Sequence, residues 1–293
     1  MKHAILGAGA IGGLIATALS SLGEEVTLIV RAGKLAEYPR ALILEYPSGT
    51  ITATGKIAAS LNEPVDVLWI ATKTYQLEDA LAAVETAPGI VVPLLNGVDH
   101  VAVLRERFGH DAVVPGTIAV EAELGAPGRF VTRSQVRLNL AASGEPALGG
   151  VIEKLRGLGW AGQFIASESQ LLWSKLCFLG PFALVTSASG KNNGEILADL
   201  EWKGRFESAI REACAVAAKE GAQIDGDKGL AAFAAFPPTM RASMAKDLAA
   251  GRKLELDGIA GPIIRGGARF RVPTPTTLGL VAMIEDRASH SVE

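Results

Sequence analysis

Residues 2–31, KHAILGAGAIGGLIATALSSLGEEVTLIVR, read in order as a strand, a glycine turn, a helix and a second strand. Within them Gly7-Ala8-Gly9-Ala10-Ile11-Gly12 fits the pattern G-x-G-x-x-G. Each glycine has a distinct physical task. Gly7 allows a tight turn, Gly9 lets the backbone approach a pyrophosphate, and Gly12 permits close packing of helix on strand. Ala10 and Ile11 open the helix, where free N–H groups and the helix dipole favour an anion. Glycine-rich turns are common, and the pattern alone is weak. Its placement directly after an N-terminal strand, opening a helix that leads to another strand, marks a dinucleotide-binding βαβ unit.

The second strand ends Leu28-Ile29-Val30-Arg31. A unit specific for NAD usually carries an acidic residue there to accept hydrogen bonds from the ribose 2′-hydroxyl. Arg31 is instead a fixed cation suited to a 2′-phosphate, and Lys34 could add charge. The expected cofactor is therefore NADP(H); a solvent-exposed arginine without a ligand is the alternative.

Working outward, short apolar runs at 26–30, 67–71 and 90–95 read as buried parallel strands, with helical stretches at 14–22 and 76–84 between them. Residues 42–55 read as a hairpin turning at Pro47-Ser48-Gly49, and 113–140 as a second antiparallel patch broken at 125–128. Beyond Ser167 strand signals vanish. Helices are expected at 168–186, 200–220 (closed by Gly221), 240–250, 256–268 and 276–286, the last introduced by Pro273-Thr274-Pro275. The expected fold class is α/β: a Rossmann-type NADP-binding domain over 1–166, then an all-helical domain over 167–293. A chain of 293 residues suits two domains, since single cores split beyond about 250–300 residues.

The net charge of −3, with basic residues scattered, gives no electrostatic reason to expect nucleic acid or an anionic membrane as partner. Cys177 and Cys214 lack metal-ligand spacing and are expected to be buried free thiols. No apolar run is expected to reach the roughly 20 residues of a membrane helix. The N-terminus lacks the pattern of a signal peptide. A soluble, cytoplasmic protein is the expectation.

Several side chains are candidates for chemistry. The third strand runs into Thr72-Lys73-Thr74-Tyr75-Gln76, and strand ends on this side of a doubly wound sheet face the ligand crevice. Lys73 and Gln76 are thus candidates for the adenosine part, although a capping loop would also tolerate them. Asn96, at the end of the fourth strand, could serve the nicotinamide end or the substrate; an Asn-Gly turn is the other reading. Lys175 stands in the apolar LLWSKLCFLGPFALV, where a lysine either snorkels or is held for function. Near a hydride donor its ammonium could polarise a carbonyl and protonate the forming alkoxide. Glu255 could orient that lysine or bind a hydroxyl. Ser243 and Glu255, each taken alone, are as readily solvated helix residues. The four histidines show no metal signature, and His100 reads as a loop residue or a catalytic acid.

Together these pieces resemble the ketopantoate reductase (2-dehydropantoate 2-reductase) family across the whole chain. The resemblance rests on GAGAIGG at 7–13, Arg31, TKTYQ at 72–76, LLNGVD at 94–99, WSK at 173–175, NNGE at 192–195, SMAKD at 243–247 and LELDG at 254–258. It implies hydride transfer from NADPH to the ketone of a 2-oxo acid in a cleft between the domains, as in the step from ketopantoate to pantoate in pantothenate biosynthesis. It implies Lys175 as general acid with Glu255 as its acidic partner. Ser243 would meet the substrate carboxylate, Asn193 a substrate polar group, and Arg31, Lys73, Gln76 and Asn96 the cofactor. Helical domains of this superfamily often pair, so a homodimer is a mild expectation.

Three positions depart from the pattern. The family's usual asparagines one and two turns after the lysine are Leu179 and Ala183, and Met240 replaces a common polar residue. Losing those hydrogen-bonding groups argues for a less polar 2-oxo acid or ketone than ketopantoate. The competing reading is a catalytically silent NADP-binding protein that senses redox state or regulates a partner; Lys175 with Glu255 favours the enzyme.

Overall fold

The computed structural model describes residues 1–290, which form two compact units: residues 1–95 with 100–168, and 96–99 with 169 onward. In the first unit β1 (Lys2–Leu6) lies at the centre of a parallel sheet. It pairs with β2 (Glu25–Ile29), placing Leu6 beside Ile29, and with β6 (Val67–Ile70), placing Leu6 beside Ile70. With β5 (Lys56–Ala58) and β7 (Ile90–Pro93) the strand order is β5-β2-β1-β6-β7. All four residues of β6 are buried, which explains its unbroken apolar sequence. α1 (Ala10–Ser21) links β1 to β2 and is itself apolar on most sides. It is sandwiched, since its other neighbours belong to a second sheet.

That second sheet contains the expected hairpin, β3 (Ala41–Tyr46) with β4 (Gly49–Thr54), turning at Pro47-Ser48. The expected single patch over 113–140 is instead divided between two sheets. β9 (Ala122–Ala126) and β10 (Arg129–Thr132) form a hairpin whose β10 runs parallel to β3. β8 (Gly116–Ala119) pairs with β11 (Arg137–Ala141), and β11 runs parallel to β12 (Ala161–Ile165). Alternation marks strands but not their partners, and β3 is far away in sequence.

The helix expected over 76–84 is reduced to a 3-10 turn, Thr74–Gln76, and the short α2 (Leu77–Leu81). The chain leaves the helix early because Leu61 N–H donates to the Ala83 carbonyl, and Leu61 bridges Val84 as in a parallel ladder. α3 (His100–Phe108) and α4 (Glu145–Gly157) complete this unit. His100 is buried at the start of α3 rather than sitting in a loop.

The second unit is helical. It comprises α5 (Glu168–Ser189), α6 (Asn193–Ala198), α7 (Leu200–Lys219), α8 (Gly226–Ala234), α9 (Ser243–Ala249), α10 (Leu256–Phe270) and α11 (Pro275–His290). Its core gathers Phe182, Phe206 and Phe233, with ring centroids 4.9–6.1 Å apart. α11 starts at the anticipated proline, and the Glu212 carboxylate caps it from α7, accepting from the N–H groups of Thr276 (2.7 Å) and Thr277 (2.8 Å). The expectation that no apolar run approaches membrane-spanning length is corrected by α5. At 22 residues it is long and apolar enough by length and composition, and 72% of its most apolar window is buried inside the protein. Cys177 is buried and free as expected, whereas Cys214 is only half-buried.

At the N-terminal end of β1 a buried polar group ties the sheet to α4. Trp69 Nε1 donates to His3 Nδ1 (3.1 Å), which leaves the ring proton on Nε2, facing the Glu24 carboxylate at 3.6 Å. Burial lowers the His3 pKa to about 4 against the pull of Glu24. Burial would raise Glu24, but hydrogen bonds from Lys154 and the Met1 ammonium outweigh it and bring the carboxyl down to about 2. Between pH 6.5 and about 4 for His3, and between 4.5 and about 2 for Glu24, the unfolded chain binds more protons than the folded one. Stability is therefore complete near neutrality and falls as pH is lowered through those windows, by roughly 3 kcal/mol from His3 alone. Urea midpoints measured from pH 7 to 3 should decline steadily. Glu24→Gln should lower the midpoint at pH 7 and flatten the profile below pH 4.5; a parallel profile would show that Glu24 is not the titrating group.

Candidate active site

The glycine loop between β1 and α1 is shaped by close backbone approaches. Gly7 has φ +106°, and a Cβ there would stand 2.9 Å from the Ala71 carbonyl oxygen; a Cβ on Gly12 would stand 1.8 Å from that of Gly7. No side chain fits at either position without displacing backbone. Above Gly9 nothing lies within 4 Å of where a Cβ would be. The first turn of α1 carries no acidic residue, and its leading N–H groups, from Ala10 on, have no helical acceptor. Open space over Gly9 beside unpaired donors fits the pyrophosphate of a dinucleotide. Tyr38, which nothing in the spacing of the sequence singles out, donates from its hydroxyl to the Ala8 carbonyl (2.7 Å) and buttresses the loop.

Arg31 follows β2 and is exposed; among the described residues its guanidinium makes no hydrogen bond or ion pair. Lys34, expected to add positive charge, is neutralised instead by Glu37 at 2.8 Å. Lys73 and Gln76 flank and close the 3-10 turn after β6, both at its half-buried margin.

In the helical unit three sequence candidates meet. Lys175, half-buried on α5, donates from Nζ to Asn96 Oδ1 (2.9 Å), and Asn96 Nδ2 donates to Glu255 Oε2 (3.3 Å). An ammonium only donates and a carboxylate only accepts, so an amide between them has one workable orientation. Glu255 is 4% exposed and precedes α10. Burial lowers the Lys175 pKa to about 8, and the Glu255 charge holds it from falling further. The result is a desolvated ammonium with an amide acceptor, able to release a proton near neutral pH.

Asn193 and Ser243 are not joined to this group by any hydrogen bond. Asn193, buried on α6, donates from Nδ2 to the carbonyls of Phe233 (2.9 Å) and Phe236 (3.4 Å), so only its Oδ1 is uncommitted. Its own N–H donates to the Met240 carbonyl. Ser243 is exposed at the first turn of α9. Leu179 and Ala183 follow Lys175 along one stripe of α5; Leu179 is half-buried and Ala183 is in the core.

A glycine loop shaped for a dinucleotide and a desolvated lysine held by an amide define an oxidoreductase. The chain belongs to the ketopantoate reductase PanE/ApbA family: residues 3–145 match the model of that family and 169–288 that of its C-terminal region. It is 32% identical over 302 residues to the 2-dehydropantoate 2-reductase of Caulobacter vibrioides, covering 97% of this chain and 98% of that one. The crystal structure of 2-dehydropantoate 2-reductase from Geobacter metallireducens GS-15 superposes with TM-score 0.89 at 22% identity, covering 98% and 99% of the two chains. The complex of D-mandelate dehydrogenase with NADH superposes with TM-score 0.84 at 25% identity, covering 99% of each.

Glu255→Gln keeps a hydrogen-bond acceptor but removes the charge that supports the ammonium. Lys175 should then titrate below its value of about 8, read as the chemical shift of an isotope-labelled lysine ε-carbon against pH. A curve coincident with the wild type would disprove the electrostatic role of Glu255.

Proposed function

We propose that this protein reduces the carbonyl of a small 2-oxo acid with NADPH, with Lys175 as general acid. The observation that carries the reading is the Lys175–Asn96–Glu255 chain of hydrogen bonds around a desolvated ammonium. When bound, the nicotinamide supplies a hydride to the carbonyl carbon. Lys175 Nζ polarises the carbonyl oxygen beforehand and gives it a proton as negative charge develops there. Asn96 keeps the ammonium pointed, and Glu255 keeps it charged. Ser243 is assigned to the substrate carboxylate, Asn193 Oδ1 to a donor elsewhere on the substrate, and the loop of Gly7, Gly9 and Gly12 to the pyrophosphate. Lys73 and Gln76 are assigned to the adenosine.

NADPH over NADH rests on Arg31. An uncommitted guanidinium at the end of β2, with no acidic residue in its place, suits a 2′-phosphate. Arg31→Ala should weaken NADPH binding by about tenfold or more, the worth of a charge-assisted contact, and NADH binding by far less. Fluorescence titration of both nucleotides reads this directly; equal losses would remove the 2′-phosphate role.

The substrate is expected to carry a less polar tail than ketopantoate. Half-buried Leu179 offers no hydrogen bond one turn along α5 from Lys175, and a substrate hydroxyl placed there would lose its water unrepaid. That a solved relative is named D-mandelate dehydrogenase supports a substrate other than ketopantoate. A panel of 2-oxo acids followed by NADPH oxidation should rank apolar-tailed compounds by kcat/KM above ketopantoate, and Leu179→Asn should narrow that gap. Turnover should fall as pH rises through about 8, as the ammonium is lost. Lys175→Met should collapse kcat while nucleotide binding persists. NADPH binding with no turnover of any member of the panel would defeat the proposal.

A further inference from the structure

The Lys175 group depends on residues 96–99, a four-residue loop that packs with the helical unit although β7 before it and α3 after it belong to the other. Its contacts with α10 are unusually close. Gly97 has φ +84°, and a Cβ there would lie 2.0 Å from the Gly258 carbonyl oxygen, so backbone rests directly on backbone. Two residues on, Asp99 Oδ2 accepts from Arg265 Nε (3.2 Å) and Nη2 (2.6 Å), while Arg265 Nη1 donates to Asp257 Oδ1 (2.6 Å). The guanidinium lies across Gly261, where a Cβ would come within 2.3 Å of Nη2. Asp257, Gly261 and Arg265 are spaced by four and therefore share one face of α10. The loop thus runs along the helix with Asn96 at Glu255, Gly97 at Gly258 and Asp99 at Arg265.

We propose that the N-terminal half of α10 is a seat for residues 96–99, and that Gly97 and Arg265 are positioning residues that hold Asn96 against Lys175. Neither touches a reacting atom; both act through Asn96. They differ in weight. Arg265, Asp99 and Asp257 are all at least half exposed, and such pairs contribute up to about 1 kcal/mol. Gly97 meets a rigid carbonyl in a left-handed conformation that already costs other residues about 1–2 kcal/mol, so a side chain there must lift the loop. Displacements near 1 Å can cost about a hundredfold in rate.

The kinetic arm of the test rests on the reductase reading; a second arm does not. Gly97→Ala should lower kcat by about 10- to 100-fold and leave the NADPH dissociation constant within about twofold. Losing the Asn96 acceptor should move the alkaline limb of the kcat profile down by about half a pH unit. In parallel, mass spectrometry should show Lys175 in the full chain acylated about 2.5-fold faster at pH 7, because lowering a pKa of about 8 by half a unit raises the free-amine fraction there from about 9% to about 24%. Arg265→Ala should show the same pattern at about two- to fivefold, partly restored in Arg265→Lys. Arg269→Ala, which removes from α10 an arginine paired with Glu220 at the end of α7, should match the wild type. Should Gly97→Ala fail to fold, the Arg265 variants decide. Wild-type profiles and labelling rates in both variants would overturn the seat. If the wild type turns over no 2-oxo acid, the reductase reading fails, and the labelling rates still decide whether the seat positions Asn96.

Discussion

A lysine ammonium taken out of water loses its charge unless neighbouring atoms accept its hydrogens and balance its field. Lys175 is carried by α5 into apolar surroundings, between Ser174 and the buried Leu176 and Cys177. What restores its cationic form is one amide oxygen and one carboxylate, from Asn96 and Glu255, reached from distant parts of the sequence. Much of the helical unit's local design follows. The carboxylate has to be buried, and it is placed just ahead of α10. The amide has to sit between two groups of opposite charge, so its loop must be held to within hydrogen-bonding tolerance. A glycine-on-glycine contact and an arginine spanning two aspartates supply that hold.

The dinucleotide loop answers a related problem by opposite means. Under the proposed function the charge to be satisfied would arrive with the ligand, and the protein keeps donors unpaired and space open. Gly12 against the Gly7 carbonyl draws α1 onto β1, which aims the helix N-terminus, and the Tyr38 hydroxyl on Ala8 fixes the loop from outside. The same economy applies at Arg31, whose guanidinium is uncommitted while its neighbour Lys34 is bound to Glu37. Paired groups hold the architecture, and the recognition roles proposed above fall to groups left unpaired.

Local pattern made much of this legible in the sequence. The glycine spacing marked β1, α1 and β2, and helical periodicity marked α5, α7, α10 and α11 closely. It failed where a distant partner decides the outcome. The alternation over 113–140 could not say that β10 would join β3 while β11 joined β12. The pull of Leu61 on Ala83 shortened α2 without any local breaker. α6 was overlooked although Asn192 and Glu195 form a capping box that is readable as N-x-x-E. At the site, Lys175, Asn96 and Glu255 were each visible as candidates, and the resemblance to ketopantoate reductases joined them. That Asn96 bridges the other two, and that Gly97 rests on α10, are long-range facts with no signature in spacing.

Lys175, Leu179, Ala183 and Ser187 lie along one stripe of α5, and under the proposed function a change of substrate would be sought there. The ammonium is tied to Asn96, so under the proposed function selectivity would fall to residues that follow it at four-residue spacing. Ala183 and Ser187 are 1% exposed, and Ala183 packs among the core residues around Phe182. An amide introduced at 183 would bury new polar atoms and cost about 1–3 kcal/mol unless neighbours supplied partners. Leu179 is half-buried and meets no such penalty. The two departures on α5 are therefore not equivalent: Leu179 can change without disturbing the core, whereas Ala183 is bound to the packing of the helical core and can change only together with it.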